Sequence, residues 1–120
     1  MRQPVLNELV SEQDRLIQQA VRAFVDSQIM PVRQELDDDK DHILIDQISE
    51  KLKDMGFQKS IVPEKYGGLP QRSVVGTCIL MEEIARGDVG LAVSLGCTGW
   101  FVMPAILANN EAVLRKVAAV

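Results

Sequence analysis

From Ser11 onward the apolar positions return at helical intervals. Leu16, Ala20 and Phe24 recur in four-residue steps with Ile17, Val21, Val25 and Ile29 beside them, while Arg15, Gln18, Gln19, Arg22 and Asp26 hold the other side. The spacing predicts an amphipathic helix that turns those polar residues to solvent. Its start is marked by Ser11-Glu12-Gln13-Asp14, where the hydroxyl can accept from a free N–H of the first turn and the carboxylate three residues on suits the helix dipole. Pro31 removes a donor and disfavours helical geometry at Met30, which predicts an end or kink before residues 32–36 resume the helix. A second helix is predicted over 43–55, with Ile45, Ile48, Leu52 and Met55 on one stripe and Gly56 set to take the left-handed conformation that closes it. Over 61–70, two prolines and the Gly67-Gly68 pair rule out regular helix and predict an irregular ordered loop anchored by Tyr66.

From 73 to 85 the apolar residues Val74, Val75, Cys78, Ile79, Leu80, Met81 and Ile84 cover more than one face, predicting a largely enclosed helix. A strand competes over 74–81, but the length and the continuation into Glu82-Glu83-Ile84-Ala85-Arg86 favour helix. Arg86 can pair with Glu82 or Glu83 one turn back, an exposed contact worth only ~0.3 to 0.5 kcal/mol. No charge falls between Val89 and Asn110, and a membrane span needs ~20 apolar residues. Gly90, Ser94, Gly96, Thr98, Gly99, Pro104, Asn109 and Asn110 dilute that run, and neither end carries a Lys/Arg cluster or an aromatic belt. The reading is therefore no membrane span but a helix surrounded by protein, followed by a last helix from Glu111 that Asn110 can cap. Helix follows helix with no two-residue alternation and no internal repeat. One all-α domain over 1–120 is expected, an orthogonal or up-down bundle of about five helices.

Length and composition agree: 120 residues suffice for one domain with a real core, and 47% apolar with 25% charged residues is the balance of a globular chain. Thirteen basic against seventeen acidic side chains leave a net charge of −4 with no basic cluster, which argues against nucleic acid as a partner. Residues 1–10 resemble neither a secretory signal nor a transit peptide. Cys78 and Cys97 lack zinc or CxxC spacing and read as reduced, buried thiols, so a reducing, cytoplasmic compartment is expected. The run Asp37-Asp38-Asp39-Lys40-Asp41 has clustered carboxylates but no calcium-loop glycine or bidentate Glu, and reads as a solvated turn; lone His42 is given no role. Glu82 and Glu83 diverge by about 100° around a helix and do not make an acid/base pair. No metal or catalytic set emerges, and the residues by themselves lead no further than a helical bundle.

Four segments in order go further: Ser11-Glu12-Gln13, Leu52-Lys53-Asp54-Met55-Gly56-Phe57, Val62-Pro63-Glu64-Lys65-Tyr66-Gly67-Gly68-Leu69 and Met81-Glu82-Glu83-Ile84-Ala85-Arg86-Gly87-Asp88. Over 9–117 the chain closely resembles the N-terminal helical domain of acyl-CoA dehydrogenases. Pro104-Ala105-Ile106-Leu107 before a capped helix fits as well, while Asn109-Asn110 departs from the usual Gly-Thr type turn. The resemblance implies an FAD-dependent parent enzyme that oxidises acyl-CoA to 2,3-enoyl-CoA and passes electrons to an acceptor. Its flavin and its catalytic carboxylate would be held by a middle β-domain, a C-terminal domain and a neighbouring subunit, so this chain alone is expected to bind no FAD and to be inactive. The resemblance also implies that the helix over 90–103 supplies one wall of the acyl pocket. Val93, Gly96, Cys97 and Trp100 stand at i, i+3, i+4 and i+7, where one face can present all four. Trp100 would shorten such a pocket; the alternative is packing against other domains. That face, left uncovered, is expected to drive homo-oligomerisation. A free-standing helical interaction module with the same fold is the rival reading.

Overall fold

Ser11 opens the first helix as its chemistry requires. In the computed structural model, which describes residues 9–70 and 73–119, Ser11 Oγ accepts from the Asp14 N–H at 3.1 Å, and the Asp14 carboxylate accepts from the Ser11 N–H at 3.1 Å and hydroxyl at 2.7 Å. This reciprocal cap begins α1 (Glu12–Phe24). The chain then widens into a π turn over Val25–Ile29 and tightens into a 3-10 turn over Met30–Val32 before the single-turn α2 (Arg33–Asp37). The predicted break is present, but it begins at Val25, well ahead of the proline. Pro31 itself falls in the first turn of the 3-10 piece, where its missing N–H costs nothing.

Asp39 accepts from the Leu44 and Ile45 N–H groups at 2.9 and 3.0 Å, capping α3 (Ile43–Asp54) from outside it. The acidic run is thus a connecting turn, and no cluster fit to hold a metal ion occurs among the described residues. Gly56 takes φ +81 after α3, as predicted, and the loop that follows is built on 3-10 turns at Gln58–Ser60 and Glu64–Tyr66. Ser73 caps α4 (Val74–Gly87). Asp88 alone joins α4 to α5 (Val89–Leu107): its N–H donates to the Ile84 carbonyl and its carboxylate accepts from the Leu91 N–H at 2.6 Å. Asn110 Oδ1 caps α6 (Glu111–Ala118). No strand occurs among the described residues, and the fold is the all-α bundle the periodicity predicts.

The main core joins Val21, Val25 and Ile29 to Ile48 and Leu52 of α3, Leu80 and Ile84 of α4, and Leu91 and Leu95 of α5. A second cluster sets Val102 and Ala105 of α5 against Leu114 of α6. Within the main core, α1 and α4 approach closely. A Cβ on Gly76 would come within 2.3 Å of Asp14 Oδ1, and one on Gly87 within 2.8 Å of Val25 Cγ1. Midway along this seam Glu83, only 2% exposed, accepts from Gln18 Nε2 at 2.9 Å, from Arg22 Nε at 3.0 Å and from Arg86 Nε at 3.3 Å, and Arg86 reaches Asp26 at 2.7 Å. Gln18, Arg22 and Asp26 therefore serve the seam instead of turning away, and the Arg86–Glu83 contact is half buried rather than wholly exposed.

The molecule measures 44 × 40 × 20 Å, about two helix diameters thick, so each helix is covered mainly from one side. That geometry corrects four expectations. Helix α4 is not enclosed, since Val74, Thr77 and Cys78 are exposed. Nor is α5 surrounded, as described below. Both Cys78 and Cys97 are exposed thiols on those open sides. Leu16, Ala20 and Met55 lie outside the core although they share the apolar stripes of α1 and α3.

Two buried carboxylates make the seam sensitive to acid. Burial pushes the Glu83 carboxyl up, but the hydrogen bonds from Arg22 and Gln18 and the charge of Arg22 outweigh it and hold the group below the usual Glu range. For Asp14, the Ser11 hydroxyl lowers the carboxyl against the push of burial, and Ser73 helps. A folded-state value below the unfolded one means that the stabilisation is complete at neutral pH and is lost as pH falls below about 4. Glu83→Ala is expected to lower the unfolding free energy by about 1 to 2 kcal/mol at pH 7, because it removes charge-assisted hydrogen bonds whose arginine donors remain partly open to solvent. In urea melts at a series of pH values the difference between wild type and variant should shrink below pH 4. A gap that stays constant to pH 3 would remove Glu83 from this role.

Candidate functional site

Helix α5 is buried along one side and open along the other. Leu91, Ala92, Leu95, Val102 and Ala105 form its buried stripe. Opposite them, Val93 is 53% exposed, Trp100 73% and Leu107 80%, with Cys97 and Pro104 also exposed. The four residues singled out from the sequence are thus brought to one region of α5. Val93, Cys97 and Trp100 share its open face, whereas Gly96 sits at the edge of it, where an added Cβ would meet Met81 Cε of α4 at 3.2 Å. Gly96 is accordingly half-buried, beside the Met81 side chain of α4. Trp100 takes part in neither core cluster.

The open face is apolar and carries no ionisable side chain except the Cys97 thiol. Helix α5 is long and apolar enough to cross a membrane by length and composition alone. Its buried stripe is committed to packing against α4, α6 and the main core, so that property does not make it a span. What the face can do chemically is limited to contact: it offers dispersion and water exclusion to an apolar group. It holds no nucleophile–base pair.

A different cleft, of about 240 Å³, opens on the other side of α5 and is lined by Val62 and Tyr66 of the loop, Thr98 and Phe101 of α5, and Val117 of α6, with Lys53 and Lys59 also contributing. Sequence reasoning missed it, because its walls come from segments far apart along the chain. Tyr66 is its most informative member. The ring lies 4.8 Å from Lys65 Nζ and 5.9 Å from the Arg115 guanidinium carbon, cation–π distances that tie the loop to α6. The hydroxyl is buried with no hydrogen-bond partner among the described residues. A donor left so costs about 1 to 3 kcal/mol.

Neither this cleft nor the shallow depression over Glu12, Arg15 and Leu16 fits a flavin. The first, at about 240 Å³, lies below the ~300 to 1,000 Å³ of pockets for drug-sized ligands, and the second lies on the solvent side of α1. The two buried carboxylates, Asp14 and Glu83, are taken up by the contacts between α1 and α4.

The chain belongs to the acyl-CoA dehydrogenase family: it matches the acyl-CoA dehydrogenase, N-terminal domain, over residues 11–117. It is similar to a glutaryl-CoA dehydrogenase of Desulfococcus multivorans, with 29% identity over 108 residues that cover 89% of this chain and 28% of the relative. It is also similar to proteins named "Probable acyl-CoA dehydrogenase fadE25" of Mycobacterium bovis and Mycobacterium tuberculosis, with 30% identity over 115 residues, covering 93% of this chain and 28% of each relative. The chain thus spans a little over a quarter of the length of these curated relatives. No solved structure matches it.

Tyr66 offers a direct measure of how the loop is held. Tyr66→Phe keeps the ring between Lys65 and Arg115 and removes only the unpartnered hydroxyl, so unfolding in urea should require about 1 kcal/mol more than wild type. A loss of stability of that size would mean that the hydroxyl has a partner after all.

Proposed function

We propose that this domain serves an FAD-dependent acyl-CoA dehydrogenase that oxidises acyl-CoA to 2,3-enoyl-CoA, and that the open face of α5 supplies one wall of the acyl pocket. The observation that carries the reading is the exposure of Val93, Cys97 and Trp100 along an uncharged helix face in a chain of this family. An acyl chain laid there meets side chains only, and water is kept from its reacting carbons. Trp100 limits the depth available and favours short, branched or ring-bearing acyl groups. Oxidation between two carbons needs a base for one hydrogen and a hydride acceptor for the other. In this reading both, together with the flavin and the contact to an electron acceptor, belong to parts of the polypeptide outside this domain, which is inactive alone. The exposed, unbridged thiols Cys78 and Cys97 suit a reducing, cytoplasmic setting.

The test uses the polypeptide in which this domain is joined to the rest of a dehydrogenase. Purified enzyme should carry a flavin spectrum that bleaches with an acyl-CoA, and Trp100→Ala should move the preference toward longer chains by about tenfold in relative kcat/KM, the cost of roughly one or two methylenes in a pocket. An enzyme that ignores every acyl-CoA offered would end the reading; unchanged chain preference would remove Trp100 from the wall.

The isolated chain allows a second check. Its open α5 face is expected to bring copies together in concentrated solution, seen as a scattering mass that rises with concentration, and Trp100→Glu with Leu107→Glu should hold the chain monomeric. Wild type that stays monomeric throughout would show that the face is too small to associate by itself.

A further inference from the structure

The cleft beside Tyr66 has properties that the α5 face lacks. Its walls are largely apolar, from Val62, Phe101, Val102 and Val117. Its surroundings are basic on a chain whose net charge is −4: Lys53 and Lys59 contribute to its lining, and neither ammonium has an ion-pair partner among the described residues. Lys65 and Arg115 flank Tyr66, Arg115 being held only by Glu111 at 3.7 Å, and no acidic side chain lines the cleft.

We propose that this cleft is a binding site for a small aliphatic monocarboxylate, distinct from the acyl-contacting face of α5 and independent of that assignment. The charge complementarity sets the head group. An anion entering here meets Lys53 and Lys59 and no acidic side chain in the lining, and a carboxylate can accept from a lysine ammonium. The walls set the body, which must be hydrocarbon to gain from leaving water. The volume, about 240 Å³, sets the length: it lies below the ~300 to 1,000 Å³ of pockets for drug-sized ligands, which suits a short acid such as hexanoate. It is too small for a coenzyme A thioester.

Titration of the ¹⁵N-labelled chain with sodium hexanoate tests this, at protein concentrations low enough for a single scattering species. Saturable amide shifts are expected at Gly67, Thr98, Phe101 and Val117. Acetate, which has the charge without the body, and hexan-1-ol, which has the body without the charge, should each bind at least about tenfold more weakly. Lys53→Gln combined with Lys59→Gln should weaken hexanoate about tenfold while leaving the spectrum folded, and Ala118→Phe should block the cleft by filling it. Should Ala118→Phe not fold, the lysine pair decides. Shifts that never saturate, shifts that fall on Val93, Cys97 and Trp100 instead, hexan-1-ol binding as tightly as hexanoate, or inorganic phosphate displacing hexanoate at equal concentration would each overturn the proposal.

Discussion

The position of one carboxylate decides how the rest of the bundle is arranged. Glu83 is almost wholly removed from solvent, and a buried charge is tolerated only where partners surround it. Those partners are supplied by α1 through Gln18 and Arg22 and by α4 itself through Arg86. Because the donors sit at fixed points along α1, the two helices can meet in one register. Gly76 at one end of the seam and Gly87 at the other let the backbones come close enough for those bonds to form. An apolar contact between α1 and α4 could slide; this one cannot.

The consequence reaches α5 through a very short connection. Asp88 alone separates the two helices and is used twice, as the last hydrogen-bonded residue of α4 and as the cap of α5. With no slack between them, the direction of α5 follows from that of α4. Leu91 and Leu95 then enter the main core, and Val93, Cys97 and Trp100 face outward. The open face is in this sense a product of the seam, although no residue of it touches Glu83.

Local rules read the helix ends well. Ser11 with Asp14, Gly56 and Asn110 act within a few residues of themselves, and each occupies the role its neighbours in sequence imply. Burial was read less well, for a physical reason. Periodicity reports which side chains avoid water, not whether this stretch of chain covers them: Leu16 and Val74 repeat in step with core residues and stay exposed. Glu82 and Glu83 are indistinguishable by composition, and only the approach of Arg22, 61 residues earlier, makes one of them a buried anchor and leaves the other in solvent. The cleft at Tyr66 is of the same kind, assembled from a loop and three helices with no shared pattern.

Trp100 and Phe101 are neighbours in sequence but stand about 100° apart around α5. One belongs to the uncharged face and the other lines the basic cleft. The absence of charge from Val89 to Asn110 serves both sides for different reasons. On the outward face a fixed charge would be stranded whenever an apolar group covered it. On the cleft side, α5 supplies only neutral wall through Thr98, Phe101 and Val102 and carries none of the cations. The chain places them instead on α3, on the loop and on α6, whose side chains approach from the rim and keep their solvent. A single apolar helix can therefore separate a neutral surface from a cationic one without carrying a charge of its own.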